Sequence, residues 1–312
     1  MVVKGRFAPS PTGRMHLGNV YAALMSWLFV KSAGGKWLLR IEDLDPGRSR
    51  PEYARALEDD LLWLGLEWDE GGLANRGDAG PYSQSRRSET YAEAFESLRE
   101  AGRVYPCTCT RADILATQAP HQSDGTPVYG GRCRPAEMPA ATPVPEPQTR
   151  HSMRLWVPDE DVEFHDLICG PQRVRLSREC GDFVIRRSDG AWGYQLAVVV
   201  DDAMMGVTQV VRGNDLLTSA AGQCHIYDLL GYARPEFGHL PLLCNEAGQR
   251  LSKRDASLDM GVLRREFSPE ALLGRIAAMA RLRPDSTPVS LSDLLDSFNP
   301  ALLSRESNIT VI

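Results

Sequence analysis

The fold is decided by residues 6–19, which read RFAPSPTGRMHLGN. An apolar strand pattern over 2–8 runs into a turn rich in Pro, Ser and Gly. A helix pattern then begins at about Gly18, with His16 at its start. The first turn of a helix leaves backbone N–H groups unpaired and carries the positive end of the helix dipole. We therefore expect an anion to bind where this strand–turn–helix unit places His16.

A second strand pattern follows this unit. Apolar residues recur with helical spacing over 20–28, Gly34-Gly35 ends that helix, and 36–41 reads as a buried strand. Strand, helix and strand in this order predict an α/β fold with a Rossmann-like parallel sheet. The second strand ends in Glu42-Asp43-Leu44-Asp45. Ligands of open sheets bind at the carboxyl ends of strands, so these acids should lie beside the first turn.

Further elements are predicted along the rest of the chain. Ser49 to Glu52 matches a helix capping box. The run 194–200 is predicted as a strand ending in Asp201-Asp202, and 206–213 as a strand ending in Arg212-Gly213. Helices are predicted over 88–101, 219–230 and 270–280, and short strands over 153–157, 162–165 and 183–187.

The composition is that of an ordinary globular chain. It has 312 residues, 43% of them hydrophobic, and a net charge of −6. It has no apolar run of about 18 residues and no signal-peptide pattern, so we expect a cytoplasmic protein without a membrane partner. The acidic net charge argues against a chain coated in nucleic acid but leaves a local basic face open.

Three of the seven cysteines, Cys107, Cys109 and Cys133, fall within a short segment. With no secretion signal, the seven are expected to be reduced thiols. Clustered thiolates suit zinc, so this group predicts either a metal site or free thiols. The other four, Cys169, Cys180, Cys224 and Cys244, are scattered and read as small buried hydrophobes.

A loop near the other end of the chain carries Ser252-Lys253 between Arg250 and Arg254. Alone it would read as a surface charge cluster, and His16 alone as a capping or core histidine. Together they fit an enzyme that holds a nucleoside triphosphate while its α-phosphate is displaced, because that transition state needs donors and cations.

Several motifs in the same order now resemble the class I aminoacyl-tRNA synthetases, specifically the glutamyl branch. Pro9 to Gly18 is similar to the family's Pro-Ser-Pro-Thr-Gly-x-x-His-x-Gly signature. Arg250 to Arg254, RLSKR, keeps the Ser-Lys core of its Lys-Met-Ser-Lys-Ser signature and changes the other three positions. The resemblance extends to 40–45 (RIEDLD), 84–86 (QSR) and 194–213, and covers about 5–255.

The resemblance implies a role for each matching position. Arg6, Ala8 and Ser10 would contact the amino acid, Glu42 would pair with its ammonium group, and Tyr194 and Arg212 would lie at its side-chain end. A guanidinium at the pocket floor favours a carboxylate over an amide, hence glutamate over glutamine. ATP, with Mg, would be bound by His16, Gly18, Ser252 and Lys253, of which His16 and Lys253 would be catalytic.

The resemblance also implies one structural zinc ion. Cys107, Cys109 and Cys133, with Tyr129 four residues before the last, are similar to a family site in which tyrosine is the fourth ligand. His121 is the competing fourth ligand. The zinc would hold an insertion that has little core of its own.

The choice of branch rests on length. Only 59 residues follow Lys253, too few for the helical anticodon-binding domain of a full-length glutamyl-tRNA synthetase. The chain is therefore identified as similar to the shortened glutamyl-queuosine tRNA(Asp) synthetases. These activate L-glutamate with ATP without tRNA and attach it to queuosine in the anticodon of tRNA(Asp). Two alternatives stay open: a truncated enzyme that charges tRNA(Glu), and a non-catalytic tRNA-binding paralogue.

The predicted organisation has four segments and no anticodon-binding domain, and the chain is expected to be a monomer. The segments are a first half of the catalytic domain (1–103), an insertion with the zinc site (104–190), a second catalytic half (191–240), and the Ser-Lys loop with a short helical region (241–312).

Overall fold

The computed structural model describes residues 2–115, 127–137, 144–245 and 258–310. Within them, helices α1 to α9 cover Leu17–Ser32, Pro51–Trp63, Ser88–Glu100, Arg111–Leu115, Tyr194–Met204, Leu217–Leu229, Met260–Glu266, Pro269–Met279 and Leu291–Asp296. Strands β1 to β12 cover Lys4–Phe7, Lys36–Leu39, Glu70–Gly71, Val104–Cys107, Ser152–Leu155, Asp161–Asp166, Gly170–Arg175, Val184–Arg186, Gln209–Gly213, Glu236–Leu240, Leu242–Cys244 and Asn308–Thr310.

A seven-stranded sheet forms the centre of the molecule, in the order β3-β2-β1-β9-β10-β6-β7. All its pairings are parallel except the β6–β7 hairpin. The strand order reverses between β1 and β9, which is the point where open α/β sheets bind their ligands. The predicted α/β fold with a parallel sheet is confirmed, and β1 and β2 are neighbours as expected.

Two apolar cores cover opposite faces of this sheet. Leu39 belongs to the core formed with α1, α2, α7, α8 and α9, whereas the adjacent Leu38 belongs to the core formed with α3, α5 and α6. Side chains that follow one another on a strand point to opposite faces, so the sheet is covered on both sides. Helix α1 lies very close to β1, because a Cβ atom built on Gly5 would lie 2.3 Å from Val30 Cγ2.

The stretch 104–190 is divided between two sheets. Strands β4, β5 and β8 form a separate three-stranded sheet, while β6 and β7 extend the main sheet. A small apolar cluster beside the separate sheet contains Tyr105, Cys107 and Tyr129 as its buried members. The predicted segment boundaries remain a prediction, but part of this stretch is continuous with the main sheet.

Two local predictions are wrong. Residues 194–200 form helix α5 and not a strand, and the Ser49–Glu52 capping box does not form. Helix α5 is buried at every position from Leu196 to Asp202, so no polar face reveals its period, and its valines favour a strand reading. Helix α2 begins with Pro51, whose missing N–H suits a first helical position, and Arg50 precedes it without a side-chain cap.

The remaining predicted elements are confirmed to within a few residues. Across the part of the chain that the structure describes, no helix is both long and apolar enough to cross a membrane.

Asp60 connects the opening turn to the C-terminal helices. Its carboxylate is fully buried in α2 and accepts hydrogen bonds from Arg14 Nη2 at 2.9 Å and from Arg264 Nη1 at 2.8 Å. Arg14 lies in the turn before His16 and Arg264 lies in α7. One buried charge therefore holds three distant segments together.

Substituting Asp60→Asn should destabilise the fold by roughly 2–4 kcal/mol, because both guanidinium groups lose their buried counter-ion. Urea unfolding at neutral pH measures the change in the free energy of unfolding. Asp59→Asn is the matched control, since Asp59 is exposed one position earlier on the same helix. Equal stability of the two variants would contradict the role given to Asp60.

Candidate active site

His16 caps helix α1 through its own ring. Its Nδ1 accepts a hydrogen bond from the Gly18 N–H at 3.1 Å, and Asn19 Oδ1 accepts one from the His16 N–H at 3.1 Å. Because Nδ1 is an acceptor, a neutral ring carries its proton on Nε2. A Cβ atom on Gly18 would come within 3.1 Å of the ring. Glycine is therefore the residue that lets the imidazole lie over the positive end of the helix.

His16 and Gly18 line one cavity of about 160 Å³ at the carboxyl ends of β9 and β10. Gly213, Leu240 and Leu242 form much of its opposite wall. The structure thus brings together two of the four residues predicted to bind ATP. The other two, Ser252 and Lys253, lie outside the described residues, as do Arg250, Arg254 and His121.

A second cavity, of about 400 Å³, contains Ser10, Glu42 and Tyr194. These are three of the six residues predicted to bind glutamate. Tyr194 begins α5 with 36% of its surface exposed, and Ser10 is exposed, so both can meet a ligand. Ala8 is half-buried directly after β1, and its predicted contact with the amino acid remains a prediction.

Arg6 and Glu42 belong to one buried charge network with Arg40 and Asp202. Arg40 donates from Nη1 to Asp202 at 2.6 Å and from Nη2 to Glu42 at 3.1 Å, and Arg6 Nε lies 3.3 Å from Asp202. Burial raises the pKa of Glu42, and the charges of Arg40 and Arg6 oppose that rise. Glu42 lines the second cavity next to these charges, and a carboxylate in that position suits the binding of an ammonium group.

Asp201 is the centre of the deeper half of this network. Its carboxylate accepts hydrogen bonds from Gln84 Nε2 at 2.8 Å, Arg87 Nε at 2.6 Å and the Tyr91 hydroxyl at 2.9 Å, and Arg40 Nε lies 3.6 Å away. Sequence reasoning assigned no role to this group. The sequence did contain a signal for this network, because Asp201 and Asp202 follow directly on an apolar run.

Arg212 is the last charged residue of the site. No carboxylate among the described residues forms an ion pair with it. The group as a whole has four guanidinium groups (Arg6, Arg40, Arg87, Arg212) and three carboxylates (Glu42, Asp201, Asp202). Arg212 Nε donates to His239 Nε2 at 3.0 Å and Nη2 to the Leu216 carbonyl at 3.2 Å.

Arg212 is only 6% exposed, and its third donor group, Nη1, is buried. Nη1 has no hydrogen-bond partner within the described chain. Burial lowers the pKa of Arg212, but a guanidinium stays charged at neutral pH. Burial raises the pKa of the Tyr194 hydroxyl and the charge of Arg212 opposes that rise, so Arg212 acts on a residue of the second cavity without lining that cavity itself. A buried guanidinium with one free donor is suited to binding an anionic group such as a carboxylate.

The cysteine cluster has the dimensions of a tetrahedral metal site. The sulfur atoms of Cys107, Cys109 and Cys133 lie within 4.8 Å of one another. The Tyr129 hydroxyl lies 3.5 Å from Cys107 Sγ and 3.7 Å from Cys109 Sγ, and the Cys109 and Cys133 sulfurs are 3.6 Å apart. A zinc ion about 2.3 Å from each sulfur would separate tetrahedral ligands by about 3.8 Å. The four predicted ligands therefore fit the ion.

Two interactions hold Tyr129 in this cluster. Its hydroxyl accepts the Cys133 N–H at 2.6 Å, and the Arg154 guanidinium lies 3.8 Å above its ring centre. Burial and the neighbouring thiols raise the pKa of the Tyr129 hydroxyl, and a cation over the ring opposes that rise by favouring the phenolate form that a metal requires. Burial raises the pKa of the Cys133 thiol, but hydrogen bonds from the Thr108 backbone and Tyr129 outweigh it and lower the pKa to about 6.

The family model for the catalytic domain of class I tRNA synthetases for glutamate and glutamine matches residues 2–285. The chain is 45% identical over 311 residues to a glutamyl-Q tRNA(Asp) synthetase of Nitratidesulfovibrio vulgaris, covering 99% of this chain and 96% of that protein. It is 41% identical over 309 residues to glutamate–tRNA ligase 2 of Alkalilimnicola ehrlichii, covering 97% of this chain and 64% of that protein.

Among solved structures, the chain is similar to a glutamate tRNA ligase from Elizabethkingia meningosepticum in complex with its amino acid. The two share 28% sequence identity and superpose with a TM-score of 0.81, over 99% of this chain and 67% of that one.

Substituting Asp202→Asn should lower the free energy of unfolding by roughly 3 kcal/mol at pH 7, because Arg6 and Arg40 lose a buried counter-ion. Burial opposes ionisation of Asp202, yet Arg40 and Arg6 hold its pKa below the ordinary value. The folded chain therefore binds that proton less readily than the unfolded chain. The stabilisation is present above about pH 4 and is lost below it.

The measurement is urea unfolding of wild type and variant between pH 3 and pH 7. The difference between them should shrink below about pH 4. Asp296→Asn is the control, because Asp296 is exposed at the end of α9 and should give a constant small difference. A pH-independent gap for Asp202→Asn would show that its ionisation does not stabilise the fold.

Proposed function

The chain belongs to the class I tRNA synthetases for glutamate and glutamine, and from this premise we propose that it is a glutamyl-queuosine tRNA(Asp) synthetase. In this proposal it activates L-glutamate with ATP in the absence of tRNA. It then transfers the glutamyl group to queuosine in the anticodon of tRNA(Asp). One observation carries the choice of amino acid: the Arg212 guanidinium is buried without a carboxylate partner among the described residues, and Nη1 has no acceptor.

The first step would be attack of the glutamate α-carboxylate on the α-phosphate of ATP, giving glutamyl-adenylate and pyrophosphate. Glu42 would hold the α-ammonium group and Arg212 the side-chain carboxylate, which leaves the α-carboxylate directed towards the phosphates. His16 would donate from Nε2 to phosphate oxygens as charge develops there, and Lys253 would reach them from its loop. Magnesium bound with ATP would neutralise phosphate charge.

The second step would be attack of a queuosine hydroxyl on the adenylate carbonyl, with AMP as the leaving group. The cavity that holds Ser10, Glu42 and Tyr194 continues outward past Asp45, Arg187 and Trp192. This outer part offers charged and aromatic groups to an incoming nucleoside. No side chain needs to act as a covalent nucleophile, so positioning would supply most of the rate.

We also propose one structural zinc ion bound by Cys107, Cys109, Tyr129 and Cys133. Zinc would tie together β4 and the segment 127–137, which share a small apolar cluster and the contact between Cys107 and Tyr129. His121 remains the competing fourth ligand. The proposal is supported by the spacing of the four donor atoms and by Arg154 stacked on the Tyr129 ring.

A second candidate function is charging of tRNA(Glu). It is favoured by the 41% identity to a protein named glutamate–tRNA ligase 2. A non-catalytic tRNA-binding role is the remaining alternative, and any glutamate-dependent turnover would exclude it.

Exchange of labelled pyrophosphate into ATP should depend on glutamate and proceed without tRNA. Arg212→Met should reduce the exchange by about 100-fold or more, because the side-chain carboxylate loses its counter-charge. Arg173→Met is the control, since Arg173 is exposed on β7. A strict requirement for tRNA would contradict tRNA-independent activation. Labelled glutamate should then attach to tRNA(Asp) only when it contains queuosine, and transfer to tRNA(Glu) would favour the second candidate.

Purified protein should contain about one zinc ion per chain by elemental analysis. Cys133→Ser should remove most of it and lower the melting temperature. Cys180→Ala is the control, because Cys180 is a buried thiol outside the cluster. Tyr129→Phe and His121→Gln together decide the fourth ligand: the variant that weakens zinc binding identifies it. Full zinc content in Cys133→Ser would contradict the proposed site.

A further inference from the structure

Asp166, His239 and Arg212 form a row across three neighbouring strands, β6, β10 and β9. The sheet register pairs His239 directly with Arg212 and places Asp166 beside Phe237, two residues before His239. The Asp166 carboxylate lies 2.6 Å from His239 Nδ1 and accepts the His239 backbone N–H at 3.1 Å. Asp166 and His239 are fully buried. Neither Asp166 nor His239 is among the site residues predicted from the sequence.

The partners of His239 decide where its proton lies. Arg212 is always protonated, so its Nε–H must donate, and His239 Nε2 must accept at 3.0 Å without a proton of its own. Nδ1 therefore carries the proton and donates it to the Asp166 carboxylate. If both His239 nitrogens were protonated, the Nε2–H of His239 would face the Nε–H of Arg212 and no hydrogen bond could form between them. Burial lowers the pKa of His239 to about 4, which agrees with a neutral ring.

This arrangement fixes the direction of Arg212. The guanidinium is a rigid plane, so holding Nε through His239 and Nη2 through the Leu216 carbonyl also fixes Nη1. The guanidinium carbon lies 5.3 Å from the centre of the Phe237 ring, which adds a packing contact. Nη1 is the donor left without an acceptor within the described residues.

The imidazole also keeps the charge of Arg212 available. A carboxylate in direct contact with Arg212 would neutralise it and compete with an incoming ligand. His239 supplies the same hydrogen bond from a neutral atom and keeps the Asp166 charge one ring away. Arg212 is thus held in position without a carboxylate partner among the residues that the structure describes.

We propose that the Asp166–His239 pair is a positioning device that holds Arg212 oriented and unpaired, and that this makes the site select a side-chain carboxylate over an amide. The proposal rests on the proposed function, because it assigns to Arg212 the side chain of the amino-acid substrate. Asp166 also accepts the Ile168 and Cys169 backbone N–H groups at 3.0 and 2.8 Å. Its substitution would disturb that turn, so His239 is the residue to change.

The decisive test compares His239→Gln with His239→Glu, since these side chains have one shape and differ in charge. The glutamine amide can donate to Asp166 and its oxygen can accept from Arg212, so His239→Gln should keep most of the glutamate preference. A glutamate there should neutralise Arg212. We expect KM for glutamate to rise about 10- to 100-fold in His239→Glu, with the ratio of kcat/KM for glutamate over glutamine falling at least tenfold. KM for ATP should change little.

His239→Leu is the second variant, because it removes the hydrogen bond without adding charge. It should raise KM for glutamate and lower the glutamate preference, whereas a purely structural role would lower kcat for both amino acids alike. His165→Leu, at an exposed position on β6, is the control and should behave as wild type. Circular dichroism verifies that each variant is folded.

Three outcomes separate the proposals. A wild-type chain without glutamate-dependent exchange would remove the proposed function itself. An active wild type in which folded His239→Glu and His239→Gln share one glutamate preference would overturn the positioning role. If His239→Glu does not fold, an unchanged preference in His239→Leu would overturn it equally.

Discussion

Helix α5 carries two carboxylates into the centre of the molecule, and the site depends on how their charge is shared. Asp202 pairs with Arg6 and Arg40 at the ends of β1 and β2, and Asp201 pairs with Arg87 and Arg40. Buried ions are tolerated only when their partners are in place, so these contacts fix α5 against the sheet. The same contacts leave Arg212 as the cation with no carboxylate partner in the described part of the chain. The position of one helix thus defines both the stability of the centre and the charge of its cavity.

The opening unit could be predicted from sequence because its causes are local. His16 caps its own helix, Gly18 clears the ring, and the strand before the turn is short and apolar. Helix α5 could not be predicted in the same way, because a helix buried on all sides has no polar face to reveal its period. The aspartates inside it then looked like the end of a strand.

The Asp166–His239 contact was beyond sequence reasoning for another reason. The two residues are 73 positions apart, and only the strand order places β6 beside β10. Asp166 also falls within the stretch predicted to be an insertion. The cysteine cluster, in contrast, could be predicted from the spacing of its residues. The contacts that surround the cluster could not. Asp182 accepts from Arg134, the Val157 N–H and the Tyr105 hydroxyl, all around Tyr129. Such contacts between distant segments follow from tertiary structure alone.

Nη1 of Arg212 has no acceptor within the described ranges, and this has a thermodynamic consequence for the whole chain. A buried cation without its anion destabilises the empty fold, and a carboxylate ligand that binds only the folded state recovers that free energy. If Arg212 binds a carboxylate as proposed, the population of folded molecules would depend on the concentration of that ligand. One guanidinium would then link the stability of the protein to the supply of its substrate.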